Sequence, residues 1–99
     1  MSKKTRRKFD EVDRVKYHLD REYECGRYGL NYGEPKHSYS IGFSDGVSFI
    51  DNTAAMRGEF GAKSARAYAS GRKRGQAAAK SYFKRTGQDL KDVKRTRFL

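Results

Sequence analysis

Two segments of this chain, Tyr39-Ser-Ile-Gly42-Phe-Ser-Asp-Gly46 and Tyr68-Ala-Ser-Gly71-Arg-Lys-Arg-Gly75, both read Tyr-x-x-Gly-x-x-x-Gly and begin 29 residues apart. Glycines four residues apart share one face of a helix, where another backbone can come close. Such packing must offset the ~1 kcal/mol that each glycine costs relative to alanine in a helix. The repeat predicts two helices that pack together or form the faces of a homodimer, unless it is a coincidence in a glycine-rich chain. The predicted packing residues are Tyr39, Gly42, Gly46, Tyr68, Gly71 and Gly75.

The residues before the first segment predict a helix that begins near Asp10. Apolar side chains recur there at steps of three or four, and three acidic residues lie in the first turn, where the helix dipole favours negative charge. Gly26 predicts the end of this helix. Residues 26–37 are rich in glycine, which is typical of a turn-rich connector. The alternating apolar residues at 28–32 would also fit a short strand.

The pattern that follows predicts three more helices. The first covers about residues 38–50, although the alternation at residues 47–50 would also fit a strand. The next is long, covering about residues 54–85, and the glycines between 58 and 61 allow an interruption. Leu90 and Val93 predict a short final helix.

The composition suggests a folded domain with a thin core. Only sixteen of the 99 residues are Leu, Ile, Val or Phe and the net charge is +11, which approaches the composition of disordered chains. Thirteen aromatic residues favour folding, because each buries a large area. We predict a mainly α fold: a small three- to four-helix domain at residues 9–95, with a flexible basic N-terminal arm at 1–8 and a short basic tail at 96–99.

Cys25 is the only cysteine, so one chain can form neither an intramolecular disulfide nor a cysteine-based zinc cluster. The basic N-terminus lacks the apolar run of a signal peptide, and no stretch approaches the ~20 apolar residues that span a bilayer. We therefore expect a cytoplasmic protein with no membrane partner.

Positive charge is concentrated in two places. Residues 54–88 hold nine Lys or Arg and one acid, whereas residues 9–53 carry a net charge of −4. Lysine and arginine on a helix suit phosphate binding, although such a face can also be merely solvated. The candidate nucleic-acid-binding residues are Arg66, Lys73, Lys80 and Lys84 on one side of the long helix, Arg72, Arg74 and Arg85 beside them, and Lys3, Lys4, Arg6, Arg7 and Lys8 in the arm. The acidic first helix is an alternative partner that would cover part of this charge.

Residues suited to catalysis are sparse. His18 lies on a charged helix where a solvated histidine is the usual state, His37 lies in the predicted connector, and no motif pairs Cys25 with a histidine base. Two histidines and scattered acids form no recognisable metal site. We therefore predict a non-enzymatic protein without a cofactor or metal.

The residues Arg66-Ala67-x-x-x-Gly71-x-x-x-Gly75, with Tyr68 among them, resemble part of ribosome modulation factor, a small basic helical ribosome-binding protein of bacteria. Residues 42–46 are similar to the Gly-Trp-Arg-Glu pattern of that family's other helix. The resemblance covers roughly twenty residues, in reversed order and without the family's tryptophans, so it implies no site residues. It does imply that ribosomal RNA is among the polyanions to consider.

These observations predict a nucleic-acid-binding accessory protein that contacts DNA or RNA phosphates through the long basic helix and the arm. The alternative is a small protein-interaction factor or inhibitor that docks on an acidic surface of a larger host, ribosomal or virion protein. A short basic chain with glycine repeats and no enzyme motif also resembles phage-encoded accessory proteins, which would place it in the host cytoplasm.

Overall fold

The chain folds into five helices in a computed structural model that describes residues 10–28 and 34–96. These helices are α1 (Glu11–Tyr28), α2 (Pro35–Val47), α3 (Thr53–Phe60), α4 (Ala62–Thr86) and α5 (Leu90–Thr96). The predicted mainly α fold is therefore confirmed. The predicted basic arm, the tail residues 97–99 and most of the 28–32 segment lie outside the described residues.

The helices α2 and α4 pack backbone against backbone through the four glycines of the repeat. A Cβ atom on Gly42 would lie 2.1 Å from the carbonyl oxygen of Tyr68, and one on Gly71 would lie 2.0 Å from that of Tyr39. Each glycine therefore directs a Cα hydrogen at a carbonyl oxygen of the other helix, a weakly favourable contact. No other residue type fits at these positions without moving a backbone.

This contact has an approximate two-fold symmetry that follows the sequence repeat. Gly46 faces the carbonyl oxygen of Arg72, and Gly75 faces that of Phe43, both at 2.1 Å from a Cβ position. Each residue in one contact lies 29 positions from its counterpart in the other. The contacts advance in the same direction along both helices, from Gly42 at Tyr68 to Gly46 at Arg72, so the two helices run parallel. All four glycines are buried within one chain, so their faces are not exposed to a second copy.

Parallel helices need a connection that returns to the starting end, and residues 48–61 supply it. The short helix α3 lies within this connection and packs on α4. The break between α3 and α4 falls at Gly61, whose φ of +93° is rarely open to residues with a side chain. The predicted interruption of the long helix thus occurs, and it explains why the described residues form five helices rather than four.

The core is formed where α1 and α5 cover the α2–α4 pair. It contains a cluster of eight buried side chains: Val15, Leu19, Phe43, Val47, Ala78, Ala79, Tyr82 and Leu90. Because α2 lies between α1 and α4, eight of its thirteen residues are buried, including three serines. A helix covered on two sides loses the simple apolar stripe of a surface helix.

Three helix boundaries differ from the sequence-based expectation. The first helix continues through Gly26 to Tyr28, since a glycine inside a helix costs only ~1 kcal/mol and does not have to end it. The second begins at Pro35, because proline suits the first helical position, where its missing N–H is not needed. It ends at Val47, and residues 48–50 form a turn rather than the alternative strand.

The glycine contact leads to a stability prediction with a control in the same chain. We expect Gly71→Ala to lower the free energy of unfolding by about 3 kcal/mol or more, because its Cβ collides with backbone. Gly58→Ala, on α3 with nothing within 4 Å of its Cβ position, should instead raise it by about 0.5–1 kcal/mol. Urea denaturation of both variants provides the measurement. Equal effects of the two substitutions would contradict the close helix contact.

Candidate nucleic-acid interface

The side of α4 that faces away from α2 carries four aligned cations, which we call the outer row: Arg66, Lys73, Lys80 and Lys84. All four are exposed. With 3.6 residues per turn, their positions fall within about 40° of one another around the helix axis, opposite the glycine face. The same geometry gives the row a length of about 27 Å. The structure therefore brings together the four residues that the sequence placed on one side.

The α4 residues that lie between the outer-row cations are small and uncharged. Exposed alanines at positions 69 and 77 lie between the cations, and α4 contains no acidic residue. Within residues 10–28 and 34–96, the four outer-row side chains form no ion pair. Arg74 is also exposed and lies on the flank of the row. A polyanion can thus approach most of this side over small side chains, whereas Phe83 and Asp89 lie beside Lys80 and Lys84 at its C-terminal end.

Arg85 differs from the outer row because it binds an acid of α1. Its guanidinium donates to Glu11 Oε1 at 2.6 Å, and the Ser81 hydroxyl donates to Glu11 Oε2 at 2.7 Å. These hydrogen bonds lower the pKa of the buried Glu11 carboxyl from 4.5 to about 2, with the Arg85 bond contributing most. The acidic first helix therefore takes up Arg85, and we assign this arginine to folding.

Arg72 also contributes to the fold. Its Nε donates to the Ile50 carbonyl oxygen at 2.9 Å, and its guanidinium lies 3.7 Å from the Asp51 carboxylate. Arg72 thus holds the loop between α2 and α3 against α4. The loop in turn places its own side chains beside the basic helix.

Tyr68 fixes the same loop from inside. Its hydroxyl donates to Asp45 Oδ2 and accepts the Asn52 N–H at 2.9 Å. The ring is fully buried, so burial first and the Asp45 hydrogen bond second raise the pKa of Tyr68 above its ordinary value. The tyrosine of the second repeat segment therefore joins α2, the loop and α4.

The loop holds Phe49 in a conformation that suits glycine. Its φ is +59°, the left-handed region, which costs a residue with a side chain about 1 kcal/mol. The backbone forms a Schellman cap there: the Phe49 N–H donates to Gly46 at 3.0 Å and the Ile50 N–H donates to Asp45 at 2.8 Å. The Phe49 side chain takes no part in the hydrogen bonds of this cap, and it is half exposed to solvent.

Phe49 lies beside a groove at the C-terminal end of α4. This groove, about 550 Å³ in volume, is lined by Phe49, Ala79, Lys80, Phe83, Lys84 and Asp89, and we call it the phenylalanine groove. Neither phenylalanine is among the site residues predicted from the sequence. A Phe at the C′ position of a helix, where glycine is usual, is a local signal that could have indicated Phe49.

Both histidines differ from their sequence-based description. His18 is packed rather than solvated: its ring stacks on Phe43 at 4.4 Å between centroids, and its Nδ1 lies 2.9 Å from the Ser40 hydroxyl oxygen. Burial lowers the pKa of His18 to about 4, so its ring is neutral at pH 7. His37 lies in the first turn of α2 and is buried. His37 thus belongs to the packed interior, and His18 is partly buried against α2.

The described residues contain no group of three or more His, Cys, Asp or Glu that could hold a metal ion. None of the helices within the described ranges is long and apolar enough to cross a bilayer. No protein-family model, curated protein or solved structure matches this chain.

The Glu11–Arg85 contact predicts a pH dependence. Because the folded-state pKa of Glu11 is lowered, its contribution to stability is fully present above pH ~4.5 and is lost as the pH falls toward ~2. We expect Glu11→Gln to lower the free energy of unfolding at pH 7 by about 1–3 kcal/mol and to reduce the loss between those pH values. Denaturation at several pH values provides the measurement, with the exposed Glu59→Gln as control. Identical pH profiles for wild type and Glu11→Gln would contradict the contact.

The backbone conformation of Phe49 gives a second stability prediction. Phe49→Gly should raise the free energy of unfolding by about 1 kcal/mol, because glycine adopts positive φ without strain. Ser48→Gly is the neighbouring control, since Ser48 has a φ of −94° and glycine there should lower stability by a few tenths to about 1 kcal/mol. Thermal or urea unfolding distinguishes the two. A marked loss of stability in Phe49→Gly would show that the side chain serves the fold.

Proposed function

We propose that this chain is a non-enzymatic nucleic-acid-binding protein that contacts the phosphates of DNA or RNA along α4. The observation that supports this most strongly is the outer row, four exposed cations on the side of α4 opposite its packed face that form no ion pair within residues 10–28 and 34–96. Lysine and arginine neutralise phosphates and release condensed counterions, which gives strong binding that depends on salt. The arm residues 1–8, which lie outside the described residues, would add five further cations.

The dimensions of α4 suit a nucleic-acid strand. The outer row extends for about 27 Å, and its cations are separated by about 6–10 Å along the helix. An α-helix with short side chains between its cations can enter a major groove about 12 Å wide or lie along a phosphate backbone. No base-specific contact is needed for this binding, so the proposal predicts affinity for many sequences.

The salt dependence of binding tests the proposal. With four phosphates contacted by the outer row, affinity for a duplex should fall about a hundredfold between about 50 mM and 200 mM salt. Lys73→Gln combined with Lys80→Gln should weaken binding and reduce the slope of log K against log salt by about 1.8 for a duplex. Fluorescence anisotropy with labelled oligonucleotides provides the measurement.

A charge-matched double variant is the control for this experiment. Lys16→Gln combined with Lys36→Gln removes the same charge from exposed positions on α1 and α2, away from the outer side of α4. Its salt slope should stay close to that of the wild type. Equal losses in both double variants would show that net charge, rather than the outer row, governs binding. Absence of binding at low salt, with a protein partner retained after nuclease treatment, would instead favour protein docking.

A further inference from the structure

We propose that the phenylalanine groove binds an unpaired base of a single-stranded segment, while Lys80 and Lys84 hold the adjoining phosphates. The groove is open on the surface and is lined by two aromatic rings, two lysines and Asp89. The side chains of Phe49 and Phe83 are 50% and 56% exposed, respectively. This inference rests on the proposed function and adds the form of nucleic acid that the site prefers.

The fold does not explain why these two positions carry phenylalanine. Phe49 occupies a left-handed position where glycine would be unstrained, and the hydrogen bonds of the cap involve only backbone atoms. Phe83 is exposed on α4 and is not among the clustered core residues. Strained residues that the surrounding structure holds in place are concentrated at binding sites. Here Tyr68 and Arg72 fix the loop that presents Phe49.

The chemistry of the groove indicates a ligand that is flat and apolar on one part and anionic on another. Aromatic rings stack on any nucleobase, and lysines beside them neutralise the strand backbone. Lys80 and Lys84 belong both to the groove and to the outer row, so a strand bound along α4 reaches the groove without interruption. Asp89 supplies an acceptor for an amino group on the base edge.

The arrangement distinguishes single strands from duplexes. Bases in a duplex are stacked on one another, and presenting one of them to a protein surface requires unstacking energy. An unpaired base carries no such cost and can lie on Phe49 or Phe83 directly. Phosphate contacts along the outer row are available to both forms. The groove should therefore add affinity only for single strands that carry bases.

Three probes of equal length separate stacking from phosphate binding: a single strand of about 12 nucleotides, its duplex, and an abasic strand with the same backbone. Phe49→Gly and Phe83→Ala should each weaken binding of the single strand about tenfold. The affinities of both variants for the duplex and for the abasic strand should stay within about twofold of the wild-type values. The slope of log K against log salt should be unchanged, because no phosphate contact is lost. DNA and RNA versions of each probe show whether the sugar matters.

Phe60→Ala is the matched control, because Phe60 is an exposed aromatic residue on α3 that does not line the groove. It should bind all probes like the wild type. Full single-strand affinity in Phe49→Gly and Phe83→Ala would overturn the inference, as would equal losses for single strand, duplex and abasic strand. In both cases the proposed function would still stand if the outer-row variants lowered binding. Wild-type protein that binds none of the probes would refute the proposed function itself.

Discussion

The backbone contact between α2 and α4 is the constraint from which the remaining structure follows. Four glycines allow carbonyl oxygens to occupy the space of their absent side chains, so the two helices come closer than any other residue type permits. The contact also fixes their parallel orientation, which requires the return connection through residues 48–61. With so few large apolar residues in the chain, this close approach supplies packing that a conventional core would obtain from side chains.

The repeat is symmetric at the contact but asymmetric around it. On α2 the positions of Ser40 and Ser44 are buried, and Ser40 meets His18 of α1. The positions 29 residues later are Ala69 and Lys73, and both are exposed. One copy of the repeat is thus an interior helix and the other is a surface helix. This difference directs the positive charge of α4 outward, where the proposed ligand would meet it.

Acidic residues pair with two arginines on the flanks of α4, whereas the cations of the outer row stay exposed. Glu11 binds Arg85, and Asp51 lies near Arg72, so these two arginines join α4 to α1 and to the loop. The predicted pairing of the acidic first helix with the basic charge occurs at Arg85, which binds Glu11. The outer row keeps its exposure because it lies opposite the face on which α2 packs.

Local sequence determined the mainly α fold, the break near Gly61 and the alignment of Arg66, Lys73, Lys80 and Lys84, because helical periodicity depends only on spacing along the chain. The tertiary structure alone determined the partners of Arg85 and the phenylalanine groove. Glu11 and Arg85 are 74 residues apart, and Phe49 joins Phe83 only after the parallel packing of α2 and α4. Such contacts arise from how helices pack, which spacing within each helix does not specify.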